Sequence, residues 1–495
     1  MKRNKGITLV ALVITVIILL ILAGVAISMI TGGDGLFAQA NLAGTKYNEA
    51  AKNEANLLNQ LLNGEYLPKE PVNNGKYNNE TGVNTPDTSK LPEATTKYVT
   101  WNEENGTYVE VLSDTVPENW YDYNNGQWAN IKSVGNGLEA YWVWIPRFAY
   151  KLPENGITAK EMEVAFVKNN SKTVVLEDGT EMQGYYTTDS EITSDESGLY
   201  VKKTANAAEK WIIHPGFTFG DTQLNGIWFA KYEPSNNGEK VEVKDGVTSW
   251  RSTTASNSFS VCRAMQDTGG VIGTETGTTS IDTHMAKNME WAAVSVISQS
   301  KYGVFNPMSS TGENGDKTYK VWNNPNSSYI TGTVGSTADA SNVADGSCTR
   351  YNTGNGPKAS TTGTVYGIYD IAGGAWEEVM GIMESSVASN TPSNASTGFT
   401  VWPDSKYYDI YSYGTTYNDQ AAYDRGKIGD LTRELSPTSP VSWNSDRASF
   451  IYSSKPLFYR GGRYDYGTGA GVFNFGDDTG AVNTNYSFRP VLVVV

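Results

Sequence analysis

Cysteine and histidine are nearly absent: the 495-residue chain holds two of each. His214 and His284 lie far apart, which is not a metal-ligand spacing, so a histidine-built metal centre is not expected. Cys262 and Cys348 leave two alternatives open, a disulfide that closes a long loop in an oxidising compartment or two separate buried thiols. Positive charge is also scarce. Against 53 Asp and Glu there are 38 Lys and Arg, a formal net charge of -15, and no basic run follows the opening segment. Neutralising phosphates takes clustered Lys and Arg, so nucleic acid is not an expected partner. The chain is poor in Leu and Lys and rich in Gly, Asn, Thr, Ser, Tyr and Trp. That profile suits a loop-rich, strand-containing extracellular protein better than a helical cytoplasmic enzyme.

One long hydrophobic run is present. From Ile7 to Ile30 there is no charged residue. As an α-helix its roughly 24 residues would rise about 36 Å, enough to cross a hydrocarbon core with some tilt. Lys2, Arg3 and Lys5 precede it, which keeps that end in the cytoplasm and sends the rest of the chain outside. Gly32, Gly33 and Gly35 interrupt the run. Residues 31–63 then read as an amphipathic continuation, with Leu36, Ala40, Ala43, Tyr47, Ala51, Leu58 and Leu62 at helical spacing. Residues 64–97 lose all apolar period and read as a linker or stalk. Aromatic strand-like segments begin near Tyr98, at 98–101, 108–111, 141–145 and 226–230, and open a domain spanning 98–495. One further helix is expected, capped by Asp282, with Met285, Met289, Ala292, Ala293 and Val296 as its buried stripe. The Gly/Ser/Thr/Asn-rich stretch from Pro307 to Thr364 reads as loop, too polar for core.

Lys5-Gly6-Ile7-Thr8-Leu9-Val10 resembles the leader junction of type IV pilins and pseudopilins. The resemblance implies a leader at residues 1–6, cleavage between Gly6 and Ile7 by a prepilin peptidase, and a transmembrane or assembly helix at 7–30 that packs with other pilin-like subunits. Ala11 stands at the fifth mature position, where major pilins usually carry glutamate. That departure points to a minor, initiating or tip subunit, since a carboxylate in lipid is kept only where a partner offsets its cost.

Near the carboxyl end, Tyr366–Val379 (YGIYDIAGGAWEEV) is similar to the GLYDMSGNVWEW segment of formylglycine-generating-enzyme-like domains. Arg460-Gly461-Gly462-Arg463 resembles their RGGSW element, Phe488-Arg489 their closing GFR strand, and Asn288–Ala293 their upstream helix. The order agrees across roughly Asp282 to Val495. The resemblance implies an α+β fold class: after the long N-terminal membrane or pilin helix, a C-type-lectin-like domain with a small twisted sheet, few helices and long loops. Trp376, Arg460 and Arg489 would hold its core, and Gly461 and Gly462 its tight turns. Glu377 and Glu378 suggest paired catalytic carboxylates, but neighbours on a strand point to opposite faces and cannot act on one substrate. The family's copper oxidase chemistry needs a cysteine pair near the carboxyl end, and its iron-dependent relatives need a histidine cluster. Neither exists here, so no catalytic residue is assigned and the chain is not expected to be an enzyme.

The last stretch, RGGRYDYGTGAGVFNFGDDTGAVNTNYSFRP, sets Tyr, Asn and Asp among a frame of Gly, Ala and Phe. It is similar to the variable regions of proteins diversified by retroelements, whose C-type-lectin-like domains vary at solvent-facing positions. By that resemblance Tyr464, Asp465, Tyr466, Asn474, Asp477, Asp478, Asn483, Asn485 and Tyr486 form a ligand-binding face. Tyr supplies rigid amphipathic area there and Asn adaptable hydrogen bonds. No cofactor is expected; calcium is compatible with the many loop carboxylates and carbonyls, without an assignable ligand set. The expectation is a single-pass membrane or pilus-surface subunit, with its domain outside, binding an extracellular glycan or protein. The rivals are a structural initiating or tip subunit without a ligand, and an envelope enzyme of unknown activity.

Overall fold

The computed structural model of the chain describes residues 83–153, 159–193, 209–274, 279–305, 320–383, 395–415, 425–432, 434–435 and 440–495. All lie within one compact unit, Pro71–Val495. Its first strands are β1 (Thr96–Glu104), β2 (Thr107–Ser113), β3 (Asn130–Gly135) and β4 (Leu138–Pro146). Then come β5 (Phe148–Tyr150), β6 (Val164–Val167), β7 (Thr173–Val175), β8 (Glu181–Tyr185) and β9 (Trp211–Ile213), which close on one another as a small barrel. After the short pair β10 (Thr218–Phe219) and β11 (Thr222–Gln223) follow β12 (Gly226–Ala230), β13 (Pro234–Asn237), β14 (Lys240–Val243) and β15 (Ile281–Met285). The last part holds the short pair β16 (Thr333–Val334) and β17 (Thr349–Arg350), then β18 (Trp376–Met383), β19 (Asp409–Tyr411), β20 (Leu457–Arg460), β21 (Phe475–Asp478), β22 (Tyr486–Phe488) and β23 (Pro490–Val494).

The main sheet has nine strands in the order β15-β23-β12-β4-β3-β1-β2, with β14 joined to β4 and β13 to β14. Local sequence builds its hairpins. Asn105-Gly106 and Asn136-Gly137 all take positive φ in the two-residue turns β1–β2 and β3–β4, the backbone that matches strand twist. At the centre, Trp144 of β4 sits opposite Trp228 of β12, rings 5.0 Å apart, and both are buried. A buried Trp removes about 150–250 Å² from water, roughly 4–6 kcal/mol gross. The carboxyl-terminal strand β23 runs between β15 and β12, so the last residues of the chain complete its core.

These elements correct the expected fold class. In place of a small twisted sheet in an α+β fold, the described residues form a β-rich fold of 23 strands with three α-helices, Ser190–Thr193, Ala255–Ala264 and Asn288–Ser298. Among the described residues no helix is long and apolar enough to cross a membrane. The leader with Gly6 and Ile7, the expected helix at 7–30 and its continuation at 31–63 lie outside the described residues. Period-2 segments rich in Trp, Tyr and Val mark single strands in the sequence, whereas their pairing makes one large sheet.

Three finer expectations change as well. Of the presumed linker 64–97, the described part packs on the domain: Val83 and Leu91 are buried, and Trp228 Nε1 donates to Asp87 O at 2.9 Å. Asp282 does not cap a helix but lies in β15, and the helix begins at Asn288, where Glu290 Oε2 accepts from Lys287 N at 2.8 Å. That helix is buried all round rather than along one stripe. Finally, the polar stretch before Thr364 is partly core: Asn324, Asn326, Thr333, Ser360 and Thr362 are buried. Asn324 Nδ2 donates to Asp370 Oδ1 at 2.8 Å and to Ile330 O at 2.9 Å, and Gly332 N donates to Asp370 Oδ1 at 2.9 Å. Side chains that satisfy loop backbone let polar sequence enter the interior.

Candidate recognition face

The face is built on a second, five-stranded sheet. β18 pairs with β20 along one edge, and with β22 then β19 along the other; β21 flanks β20. Alternation along β18 sends Trp376 and Glu378 to one side and Glu377 to the other. On the inner side, Glu377 accepts from Arg489 Nε at 2.7 Å and from its Nη2, while Arg489 also donates to Ala230 O at 2.9 Å and Tyr369 O at 3.1 Å. The adjacent glutamates are thus separated by the strand itself, as their spacing requires.

On the outer side the register places Tyr486 opposite Trp376, and both Tyr459 and Phe488 opposite Glu378. Trp376 is half-buried. Its ring lies 5.1 Å from Tyr459, 5.1 Å from Tyr466 and 4.9 Å from Tyr486, and the Arg463 guanidinium sits 4.7 Å from its centre. Among the described residues the indole Nε1 has no hydrogen-bond partner. Gly476 makes this packing feasible, because a Cβ there would collide with the Tyr459 ring. Beneath the rings Glu378 is buried beside Asp478; burial first, and the Asp478 charge second, push its carboxyl well above the usual range.

The expected face residues divide into two groups. Tyr464, Asp465, Tyr466, Asn483 and Asn485 are half-exposed, and Tyr486 lines the cluster. Tyr464 packs edge-on against Tyr329 at 4.8 Å, and Asp465 pairs with Arg463 through two 2.6 Å contacts. Arg447 donates to the Tyr466 hydroxyl. Asn483 Oδ1 accepts from Asn485 N at 2.9 Å, and Asn485 Oδ1 accepts from Tyr329 Oη at 2.8 Å. By contrast Asn474, Asp477 and Asp478 are buried, which corrects the expectation that they face solvent. Asn474 Nδ2 donates to Gly469 O at 2.7 Å, Asp477 accepts from Ser449 and pairs with Lys455 at 2.9 Å, and Asp478 accepts from Gly480 N at 2.7 Å. They hold the turn chemistry of β21 together. Trp376, Arg251, Arg447 and Arg463 join the face beyond the expected residues, with the buried Tyr459 and Tyr329 packed behind them. Alternation from Glu377 could have flagged Trp376; nothing local marks Tyr329 or Arg251.

Other candidates do not converge. Cys262 is buried and Cys348 half-buried, and both thiols are free, so the disulfide alternative is not formed. Burial raises both thiols, away from nucleophilic thiolate character. His214 is buried, and desolvation pushes it down to about 3. His284 lies between Asp282 at 3.0 Å and Glu290 at 3.1 Å; burial opposes its charge, but the two carboxylates hold its pKa raised. Among the described residues no group of three or more His, Cys, Asp or Glu is placed to hold a metal ion. Cavities of about 370 Å³ and 350 Å³ are lined by other residues, including Glu161, Trp211 and Tyr302 in one, and Asn84, Asp87 and Asn225 in the other. Comparison with protein-family models and with curated proteins finds no match.

Proposed function

We propose that this chain is a pilin-like minor subunit, held at the cell membrane or pilus surface by its apolar N-terminal segment, that presents an extracellular recognition domain. The observation that carries this reading is the half-buried Trp376, enclosed by Tyr459, Arg463 and Tyr466 from one stretch of chain and Tyr486 from another. Trp, Tyr and Arg are the side chains that most often dominate binding energy, and holding them rigid before binding lowers the entropic cost. The chain works by presentation and recognition rather than catalysis, and Glu377, which pairs with Arg489, does not meet Glu378 over one substrate.

The test is binding of the full chain, displayed on cells, to arrays of extracellular glycans and proteins, beside a Trp376→Ala/Tyr466→Ala variant displayed at equal level. Binding by the parent and not by the variant supports the reading. Equal binding would move the site elsewhere. Silence from both, together with loss of fibres on deleting the gene, would make the chain a structural initiating or tip subunit, the role that Ala11 also suits.

A further inference from the structure

We infer that β2 is a docking edge for a second copy of this chain, the two β2 strands pairing antiparallel about Val111. The interface stands apart from the Trp376 face. The main sheet treats its two edges differently. At β15 the outer side is filled from the helix Ala255–Ala264 and the turn after it: Thr283 O accepts from Arg263 Nη1 at 2.7 Å, and Thr283 N donates to Gln266 Oε1 at 2.7 Å. β15 is buried throughout. At the opposite edge, β2 has β1 as its one ladder partner. Tyr108 N donates to Asn352 O at 2.8 Å and Tyr108 O accepts from Asn352 Nδ2 at 2.9 Å, on the side away from β1. Main-chain direction alternates along a strand, so Glu110 and Leu112 turn their N–H and C=O to that same side. Among the described residues neither meets a main-chain partner there. Open edges are commonly guarded by Lys, Pro, a bulge or a covering loop. This one instead shows Val109, Val111 and Leu112 to solvent.

The open window selects the occupant. Asn352 closes the edge at Tyr108 and the strand ends at Ser113, which leaves Val109 to Ser113 free, with Val111 at the centre. A second copy turned by a two-fold axis at Val111 covers that window in full, as a self-complementary interface requires. Glu110 then lies opposite Leu112 of the partner subunit, and Leu112 opposite the partner's Glu110, each pair exchanging two main-chain hydrogen bonds. Val111 meets the partner's Val111 and Val109 meets the partner's Ser113, so the exposed valines form one apolar row across the axis. Charge agrees with this register. Glu110 is the single charged residue of β2, and Tyr141 and Lys132, the latter at 3.7 Å, hold it within its own sheet. An axis at Glu110 would set two glutamates opposite each other, whereas the axis at Val111 opposes no like charges. One strand pair covers less than the roughly 1,600 Å² of a standard interface, so the dimer forms at high local concentration.

The experiment places single cysteines on β2 of the full chain, in non-ionic detergent, with Cys348→Ser to remove the half-buried thiol. Opposed residues at a non-hydrogen-bonded antiparallel position have Cα atoms about 4.5 Å apart, within reach of a disulfide. Under mild oxidation Val111→Cys should link two chains. Val109→Cys alone should not, but mixed with Ser113→Cys it should give the linked heterodimer. If Val111→Cys fails to fold, that mixture still decides. Val111→Lys, which opposes two cations across the axis, should abolish the concentration-dependent dimer of the parent in sedimentation, with an unchanged thermal midpoint. Equal linking through Val109 and Val111, or no linking in either arrangement, would overturn the inference, as would a dimer that Val111→Lys leaves intact. A parent that stays monomeric but binds a synthetic peptide of alternating Val and Thr, with that binding lost in Val111→Lys, would assign the edge to a strand of another protein and overturn it too.

Discussion

Arg489 and Glu377 form an ion pair in which both side chains are fully buried, joining the start of the carboxyl-terminal strand region to β18. The same guanidinium donates to carbonyls of Ala230 and Tyr369, so one side chain ties the main sheet, the loop before β18 and the sheet that carries the face. Taking two charges out of water is costly, and their attraction offsets that cost only when every remaining hydrogen bond is made.

Breaking that pair from one side is therefore expected to be severe. Arg489→Met leaves Glu377 buried without its partner, at a cost of about 3–5 kcal/mol. Chemical denaturation monitored by tryptophan fluorescence measures it. A loss below about 1 kcal/mol, the range of an exposed pair, would show that Arg489 does not hold the two sheets together.

The stability of the domain should fall as pH rises through neutrality. Burial, then the Asp430 charge, raises Glu434 to about 7 from an ordinary 4.5, and burial raises Asp446 to about 7 from 3.8. The folded state thus holds protons that the unfolded chain has already released. By linkage, the stabilisation is complete below the unfolded pKa values and is lost as pH passes through about 7. Thermal unfolding is expected at a higher temperature near pH 5 than near pH 8. Glu434→Gln should flatten part of that slope, and a parent that is more stable at the alkaline end would refute the assignment.

Gly462 has φ of +83°, and a Cβ on it would lie 2.6 Å from Ala470 Cα. Gly462→Ala combines left-handed strain, about 1 kcal/mol, with a backbone collision, so a loss of roughly 2–3 kcal/mol is expected in the same denaturation assay. Since the glycine precedes Arg463, Tyr464 and Tyr466, the variant should also weaken ligand binding. A neutral effect on stability would mean that the turn relaxes without cost.

Cys262 and Cys348 should titrate as two thiols when the chain is denatured without reductant, as free cysteines require. In the native state the half-buried Cys348 should react with a thiol reagent well before the buried Cys262. Finding no free thiol after export would restore the disulfide.

Local pattern made several elements legible. The segments 98–101, 108–111, 141–145 and 226–230 all lie in strands, because alternating aromatic and β-branched residues between Asn-Gly turns leave the backbone few other choices. The opposed directions of Glu377 and Glu378 follow from strand geometry alone. The helix starts at Asn288 rather than near Asp282 because a buried strand runs into a buried helix with only Ala286 and the buried Lys287 between them, so the apolar pattern shows no break. The Asn- and Thr-rich stretch before Thr364 reads as loop in the sequence because hydropathy does not reveal that Asp370 and the loop backbone absorb those polar groups.

By itself, the sequence determined the strand segments and turns of this protein, the acidic balance and the scarcity of metal-ligating residues, since each depends on residue type and near neighbours. Tertiary structure alone decided that the strands join into one nine-stranded sheet closed by the chain's last residues. It also decided that Asn474, Asp477 and Asp478 turn inward while Trp376 and Arg251 enter the face. Those outcomes depend on which distant strand lies alongside, and a register between strands hundreds of residues apart is set by side-chain packing across the whole core.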